Sequence, residues 1–185
     1  NIGLKKIKGK PLSYNNYNDI FTGLDILDSL KKPSTVIIKH ANPSGVSSNS
    51  SKLKSFEESF NCDPISAFGG VVVCNYKINK KIAKRISSIF FEIVLAKGFD
   101  KEALKIFGTK KNPILIDISK FKNRKSQQIK YFNNSFLAQD KNEKLIDFKN
   151  SILANANFCC FNKITPLILK IICSIFLSSL VSHKA

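Results

Sequence analysis

The sequence predicts an α/β domain. Four short runs of β-branched and aliphatic residues, Thr35–Ile38, Val71–Cys74, Phe91–Ala96 and Ile114–Ile116, alternate with segments whose apolar residues recur at helical spacing. Strands that read as near-continuous apolar runs are buried on both faces, as in sheets covered by helices. The alternation itself places those helices between strands. With 185 residues and 43% hydrophobic content, the chain can bury a core.

The elements follow in order. Residues 5–16 are basic and polar and end in Leu12-Ser13-Tyr14-Asn15-Asn16. Residues 19–30 set Ile20, Leu24, Leu27 and Leu30 on one helical face, with Asp19 as N-cap and Lys31-Lys32-Pro33 as the stop. Thr35–Ile38 is the first buried strand; it stops at Lys39-His40, and Asn42-Pro43-Ser44-Gly45 signals a turn. Leu53, Phe56 and Phe60 give residues 51–60 a helical stripe, and Asn61 to Ala67 reads as a loop. Phe68-Gly69-Gly70 leads into the second strand, and residues 79–89 form a basic amphipathic helix through Ile82, Ile86 and Ile89. The third strand is Phe91–Ala96, residues 100–107 form a short helix, and Ile114–Ile116 is the next strand. Residues 119–134 are polar and read as loop. From Asn150 acidic residues vanish, and Leu167 to Val181 is apolar apart from Lys170 and a few serines. That run is short for a membrane span, which needs about 20 residues, and reads as a buried helix.

Composition restricts the function. The net charge is +17, yet the only arginines are Arg85 and Arg124. Arginine is the preferred fork for phosphate and guanine, so a Lys-dominated surface speaks against sequence-specific nucleic-acid binding. Lys, Asn, Ile and Phe share A/T-rich codons, so genome composition accounts for the bias; a basic nucleic-acid-binding module stays open as an alternative. The five cysteines, Cys62, Cys74, Cys159, Cys160 and Cys173, show no CxxC spacing, and His40 and His183 are the only histidines. No zinc pattern can be assembled, and free thiols in a reduced cytoplasm are expected. The chain has no Met and opens on Asn1, which suggests a processed or truncated N-terminus, and its first residues are too short and polar for a secretory signal.

Three segments can carry chemistry. In Val36–Gly45 a hydrophobic strand delivers Lys39 and His40 at its carboxyl end, the edge at which open α/β sheets bind ligands. A neutral His beside a cationic Lys is a workable base and oxyanion stabiliser; a surface Lys and a hydrogen-bonded His is the equally open structural reading. In Asp63–Gly70 the Gly69-Gly70 pair lets backbone amides approach a ligand, and Phe68 can stack on a heterocycle; an ordinary loop leading into a strand is the structural reading that these residues alone favour. In Gly9–Asn16, hydroxyl and amide groups lie near a cation, a lining that suits a phosphoribosyl group.

Taken together, GKPLSYNN, VIIKHANPSG and DPISAFGG, in this order and spacing, closely resemble the AICAR transformylase domain of the bifunctional formyltransferase/IMP cyclohydrolase family. Further similarity lies in Phe91–Ala96, Glu102–Ile106 and Phe136–Asp140, so that the resemblance covers roughly Lys8 to Asp147. It implies transfer of a formyl group from the co-substrate 10-formyltetrahydrofolate to the 5-amino group of AICAR, on an incomplete cytidine deaminase-like three-layer fold without that fold's zinc. It implies Lys39 and His40 as catalytic residues, and Ser13, Tyr14, Asn15, Asn42, Phe68, Gly69 and Glu92 as substrate contacts, Glu92 on the third strand. It further implies a cytoplasmic homodimer with the site between subunits.

The resemblance is partial. The family's Arg-Tyr element upstream and its cyclohydrolase domain have no counterpart here, nor does its downstream Lys-Ser-Asn-Ala segment. Residues 1–149 are therefore expected to form the N-terminal part of a transformylase domain. Residues 150–185 are expected to be a divergent or frame-shifted tail, and no role is carried onto His183. An inactive remnant of the fold is the remaining alternative.

Overall fold

The computed structural model describes residues 3–109, 113–122 and 127–140. Residues Asn1–Lys122 form one compact unit and Asn123–Ala185 a second. The boundary expected at 149/150 and the apolar run 167–181 lie outside the described residues.

In the first unit a six-stranded mixed sheet carries β1 (Lys5–Lys8), β2 (Ser34–Lys39), β3 (Asn42–Ser48), β4 (Val71–Cys74), β5 (Ile93–Ala96) and β6 (Ile114–Asp117), in the order β1-β6-β5-β4-β2-β3. β4, β5 and β6 are mutually parallel, and β2 runs antiparallel to β3 and β4, as β1 does to β6. β4, β5 and the first three residues of β6 are fully buried, as their unbroken apolar runs require.

Side chains alternate across the sheet. On one face Ile37, Val72, Cys74, Val94, Ala96 and Leu115 pack with α2 (Lys52–Cys62), α4 (Lys80–Ser87) and α5 (Lys101–Gly108) in one cluster. Its densest part is aromatic: Phe91 meets Phe56 and Phe60 edge-on at 6.0 and 6.3 Å between ring centres. On the other face α1 (Tyr14–Asp28) lies on β2 and β4. Gly23 permits that approach, because a Cβ there would meet Val73 at 2.6 Å and Ile38 at 3.2 Å. The α/β class with helices on both sides of one sheet is thus as expected.

Several local expectations give way. α1 begins at Tyr14, not near Asp19, because Ser13 and Asn16 form a reciprocal cap: Ser13 Oγ accepts the Asn16 N–H and Asn16 Oδ1 accepts the Ser13 N–H. Lys5–Lys8, part of the segment read as basic and polar, is an edge strand held by β6. Asn42-Pro43-Ser44-Gly45 is not the turn but the start of β3. β3 is the other edge of the sheet, where a proline removes no needed ladder bond. Asn61 to Ala67 is helical, as the end of α2 and a short α3 (Pro64–Ala67) capped by Asp63. In the second unit, part of the expected 119–134 loop is β7 (Gln127–Phe132), paired with β8 (Ser135–Asp140) around Asn133, whose φ of 48° suits the tight turn.

Candidate active site

One rim of the sheet gathers most of the candidate residues. β2 and β1 end there, and β3, β4, β5 and β6 begin there. Lys39 closes β2, Asn42 opens β3, Phe68-Gly69-Gly70 feeds β4, and Glu92 immediately precedes β5. Glu92 therefore sits one residue before the strand on which it was expected. The carboxyl-end rule also needs correcting: this rim is the carboxyl end of β2 but the amino end of the three parallel strands. The opposite rim, where the parallel strands end, carries an open depression lined by Asn79, Lys80, Lys81, Lys84, Asp100 and Glu102. There Lys80 and Lys77 are already engaged by Glu102 and Asp100.

The β2–β3 hairpin turns on two residues only, His40 and Ala41, between the pair Lys39↔Asn42. Both lie in the left-handed region, with φ 54° and 56°. Such a turn normally takes Asn-Gly. For residues with a Cβ the conformation costs roughly 1–2 kcal/mol each, and it persists only where neighbours fix it. Here Asp19 Oδ1 accepts the Ala41 N–H at 2.6 Å, and Asn42 Nδ2 donates to the His40 carbonyl at 2.9 Å. His40 is left exposed at the corner of the turn.

Lys39 reaches sideways along the rim. Its Nζ donates to the Phe68 carbonyl at 2.8 Å, which ties the Lys-His turn to the Gly-Gly segment. An ammonium has three donors, so two stay available to a ligand. The Gly-Gly segment is held in turn: the Gly69 N–H donates to Phe90 O at 2.8 Å, Gly70 N–H to Ala67 O at 3.0 Å, and Glu92 N–H to Gly70 O at 3.0 Å. Gly69 has φ 74°, and a Cβ on Gly70 would fall 2.8 Å from the Ile38 carbonyl oxygen, so each position needs glycine for a different reason. Phe68 is 57% exposed and leans on Phe90, ring centres 5.2 Å apart, which leaves a face free for stacking.

Farther along the rim Glu92 pairs with Lys10 at 3.1 Å. This bond brings in the third segment. Residues 10–19 are fastened at one end to Glu92 through Lys10 and at the other to Ala41 through Asp19. Between these anchors Ser13, Tyr14 and Asn15 are exposed, Tyr14 by 85%. Ser13 caps α1 through Oγ, and Asn16 is buried beneath as its partner. Among the described residues no group of three or more His, Cys, Asp or Glu could hold a metal ion, and no helix is long and apolar enough to cross a membrane.

Sequence reasoning missed Asp19 as part of this constellation, because it was read as a helix cap. It also missed Phe90, which supplies both the ring under Phe68 and the carbonyl for Gly69. The S-x-x-N spacing of Ser13 and Asn16 was the available signal for the first; nothing local marks the second.

Known proteins match much of the chain. The model of the family described as AICARFT/IMPCHase bienzyme matches residues 2–166. The chain is 37% identical over 144 residues to the bifunctional purine biosynthesis protein PurH of Caldicellulosiruptor saccharolyticus, covering 77% of the chain and 28% of that protein. It is 38% identical over 146 residues to the protein of the same name from Acetivibrio thermocellus, with the same coverage of each. With that of Rhodospirillum rubrum it shares 44% identity over 108 residues, 58% of the chain and 20% of the relative. The chain thus spans less than a third of the length of these relatives.

Proposed function

The chain belongs to the AICARFT/IMPCHase bienzyme family, and on that premise we propose that it serves purine biosynthesis by formyl transfer. The donor is 10-formyltetrahydrofolate, the acceptor is the 5-amino group of AICAR, and Lys39 and His40 stand at the reaction centre. The observation that carries the proposal is the shared rim, where the Lys39–Phe68 bond joins the Lys-His turn to the aromatic-glycine segment.

The acceptor amine is a weak nucleophile, because its lone pair delocalises toward the carboxamide. As the nitrogen attacks the formyl carbon, His40 takes an amine proton. Lys39 faces the oxygen on which charge develops and favours departure of the folate nitrogen, which leaves as an amine once protonated. Stabilisation that grows as charge develops lowers the barrier rather than merely tightening binding. Phe68 and Gly69 are assigned to the heterocycle. Ser13, Tyr14, Asn15, Asn42 and Glu92 are assigned to the polar groups of the substrate, with Lys10 neutralising Glu92 when the site is empty. A homodimer that completes the site is part of the same proposal. Exposed Tyr17, Phe21 and Ile65 are apolar surface that suits such a contact.

The test is AICAR-dependent release of tetrahydrofolate, with His40→Ala and Lys39→Ala. Loss of one general base or oxyanion partner should lower turnover by roughly 10²-fold or more, with AICAR affinity little changed. Unchanged turnover in His40→Ala refutes the assignment. AICAR binding without transfer identifies a remnant, and salt-sensitive RNA binding without AICAR affinity identifies a basic binding module.

A further inference from the structure

Asp19 has no capping task, since Ser13 and Asn16 close the start of α1 ahead of it. It sits inside the helix, next to Ile20, which is fully buried. Its carboxylate reaches across 22 residues of sequence to the backbone N–H of Ala41 at 2.6 Å. That amide belongs to the left-handed pair that turns the β2–β3 hairpin and carries His40. Hydrogen bonds to an ionised acceptor are roughly twice as strong as neutral ones. The reach depends on how closely α1 lies on the sheet, an approach that Gly23 allows one turn further on, where a Cβ would run into Val73 and Ile38. A buried helix face therefore holds the acceptor at a fixed distance from a strained turn.

We propose that Asp19 is the positioning residue for His40: it locks the strained His40–Ala41 turn to α1 and so fixes where the imidazole stands. It touches neither substrate nor reacting atoms. The proposal rests on the reading of His40 as the group that takes the proton, but its structural half can be measured without any chemistry. Neutral Asn at this position keeps an acceptor oxygen and loses the charge. Alanine loses both.

The experiment uses the 185-residue protein, labelled with nitrogen-15. Asp19→Ala should speed hydrogen exchange of the Ala41 amide by roughly tenfold or more, and Asp19→Asn by less. Adding Ala41→Gly to Asp19→Ala should restore the turn, read from the cross-strand Lys39–Asn42 contacts, because glycine enters the left-handed region freely. In the transfer assay, Asp19→Ala should lower kcat by roughly 10- to 100-fold with KM for AICAR within about twofold, the signature of a misplaced group rather than a lost contact. Asp19→Asn is nearly isosteric and keeps the measurement meaningful if the alanine variant folds poorly. Unchanged Ala41 exchange in both variants overturns the proposal. So does a loss that falls on KM alone, or a turn that glycine fails to restore. If the unsubstituted protein transfers no formyl group while Ala41 exchange responds to Asp19, the functional reading fails and the anchoring of the turn stands. If transfer is intact and exchange does not respond, the reverse holds.

Discussion

Gly70→Ala tests whether the site depends on close backbone approach. The added methyl would lie 2.8 Å from the Ile38 carbonyl oxygen and 3.1 Å from that of Ala67. Both obstacles are backbone, one in the interior of β2 and the other the acceptor of the Gly70 N–H itself. Ordinary contact begins near 3.4 Å, so the segment must withdraw by about 0.6 Å from β2. A shift of that size stretches the 2.8 Å Lys39–Phe68 bond beyond the normal hydrogen-bond range. Overpacking of this kind costs about 1–3 kcal/mol, which lowers Tm by roughly 2–12 °C in a chain of this length. Two controls separate the causes. Gly69→Ala meets nothing closer than the Phe90 ring at 3.5 Å, so its cost is the left-handed φ alone, roughly 1–2 kcal/mol. Gly108→Ala, at the end of α5 with nothing within 4 Å, should stabilise by up to about 1 kcal/mol. Thermal melts by circular dichroism give the order, and calorimetry gives AICAR affinity, which should weaken most in Gly70→Ala. If Gly70→Ala melts within about 1 °C of the parent, the close approach constrains nothing and the reasoning fails.

Two further expectations concern titrating groups. Burial pushes the Cys74 thiol up to about 11, so N-ethylmaleimide at pH 8 should label the partly exposed Cys62 first and Cys74 only as fast as the domain opens; equal native rates by peptide mass spectrometry would contradict this. Hydrogen bonds from the Ser66 side chain and then its backbone N–H hold the Asp63 carboxyl below its ordinary range, so the cap on α3 is at full strength above about pH 4 and is lost as pH falls through the lowered folded value. The Ser66 amide shift should follow that transition and should show none in Asp63→Ala.

What could be read from the sequence was what has a local cause. The buried strands β4, β5 and β6 are apolar because both faces are covered, and the helices α2 and α4 show as apolar stripes, through Phe56 in one and Ile82 and Ile86 in the other. β1 was hidden because three of its four residues are exposed, and only pairing with β6, more than a hundred residues away, makes it a strand. β3 was hidden because Asn-Pro-Ser-Gly is a turn signal everywhere except on an edge with a bulge. The site shows the same division. Its segments were legible as motifs, but the direction of the rim was not, since it follows from β2 running against β4. Asp19 could not be assigned to His40 from spacing, because its bond closes a long loop rather than a helical turn.

The irregularity between Ile37 and Ile38 decides a question of parity. From Ser34↔Ser48 to Ile37↔Gly45 the paired positions keep one count; at Ile38↔Pro43 they change to another, and Ser44 is left over. Had the first count continued, Lys39 would face Pro43 and the loop would hold an odd number of residues, with His40 at its start and no need of a left-handed backbone there. The spare Ser44 makes the remainder even, and an even remainder of two leaves His40 nowhere to be but the corner. Deleting Ser44 would by the same count pair Ile37 with Gly45, Ile38 with Pro43 and Lys39 with Asn42 without a bulge and leave His40 at its corner. One further residue between Asn42 and Gly45 would instead have to be absorbed by a second irregularity or a longer loop, so the spacing from Ile37 to Gly45 is as much a part of the site as the residues that fill it.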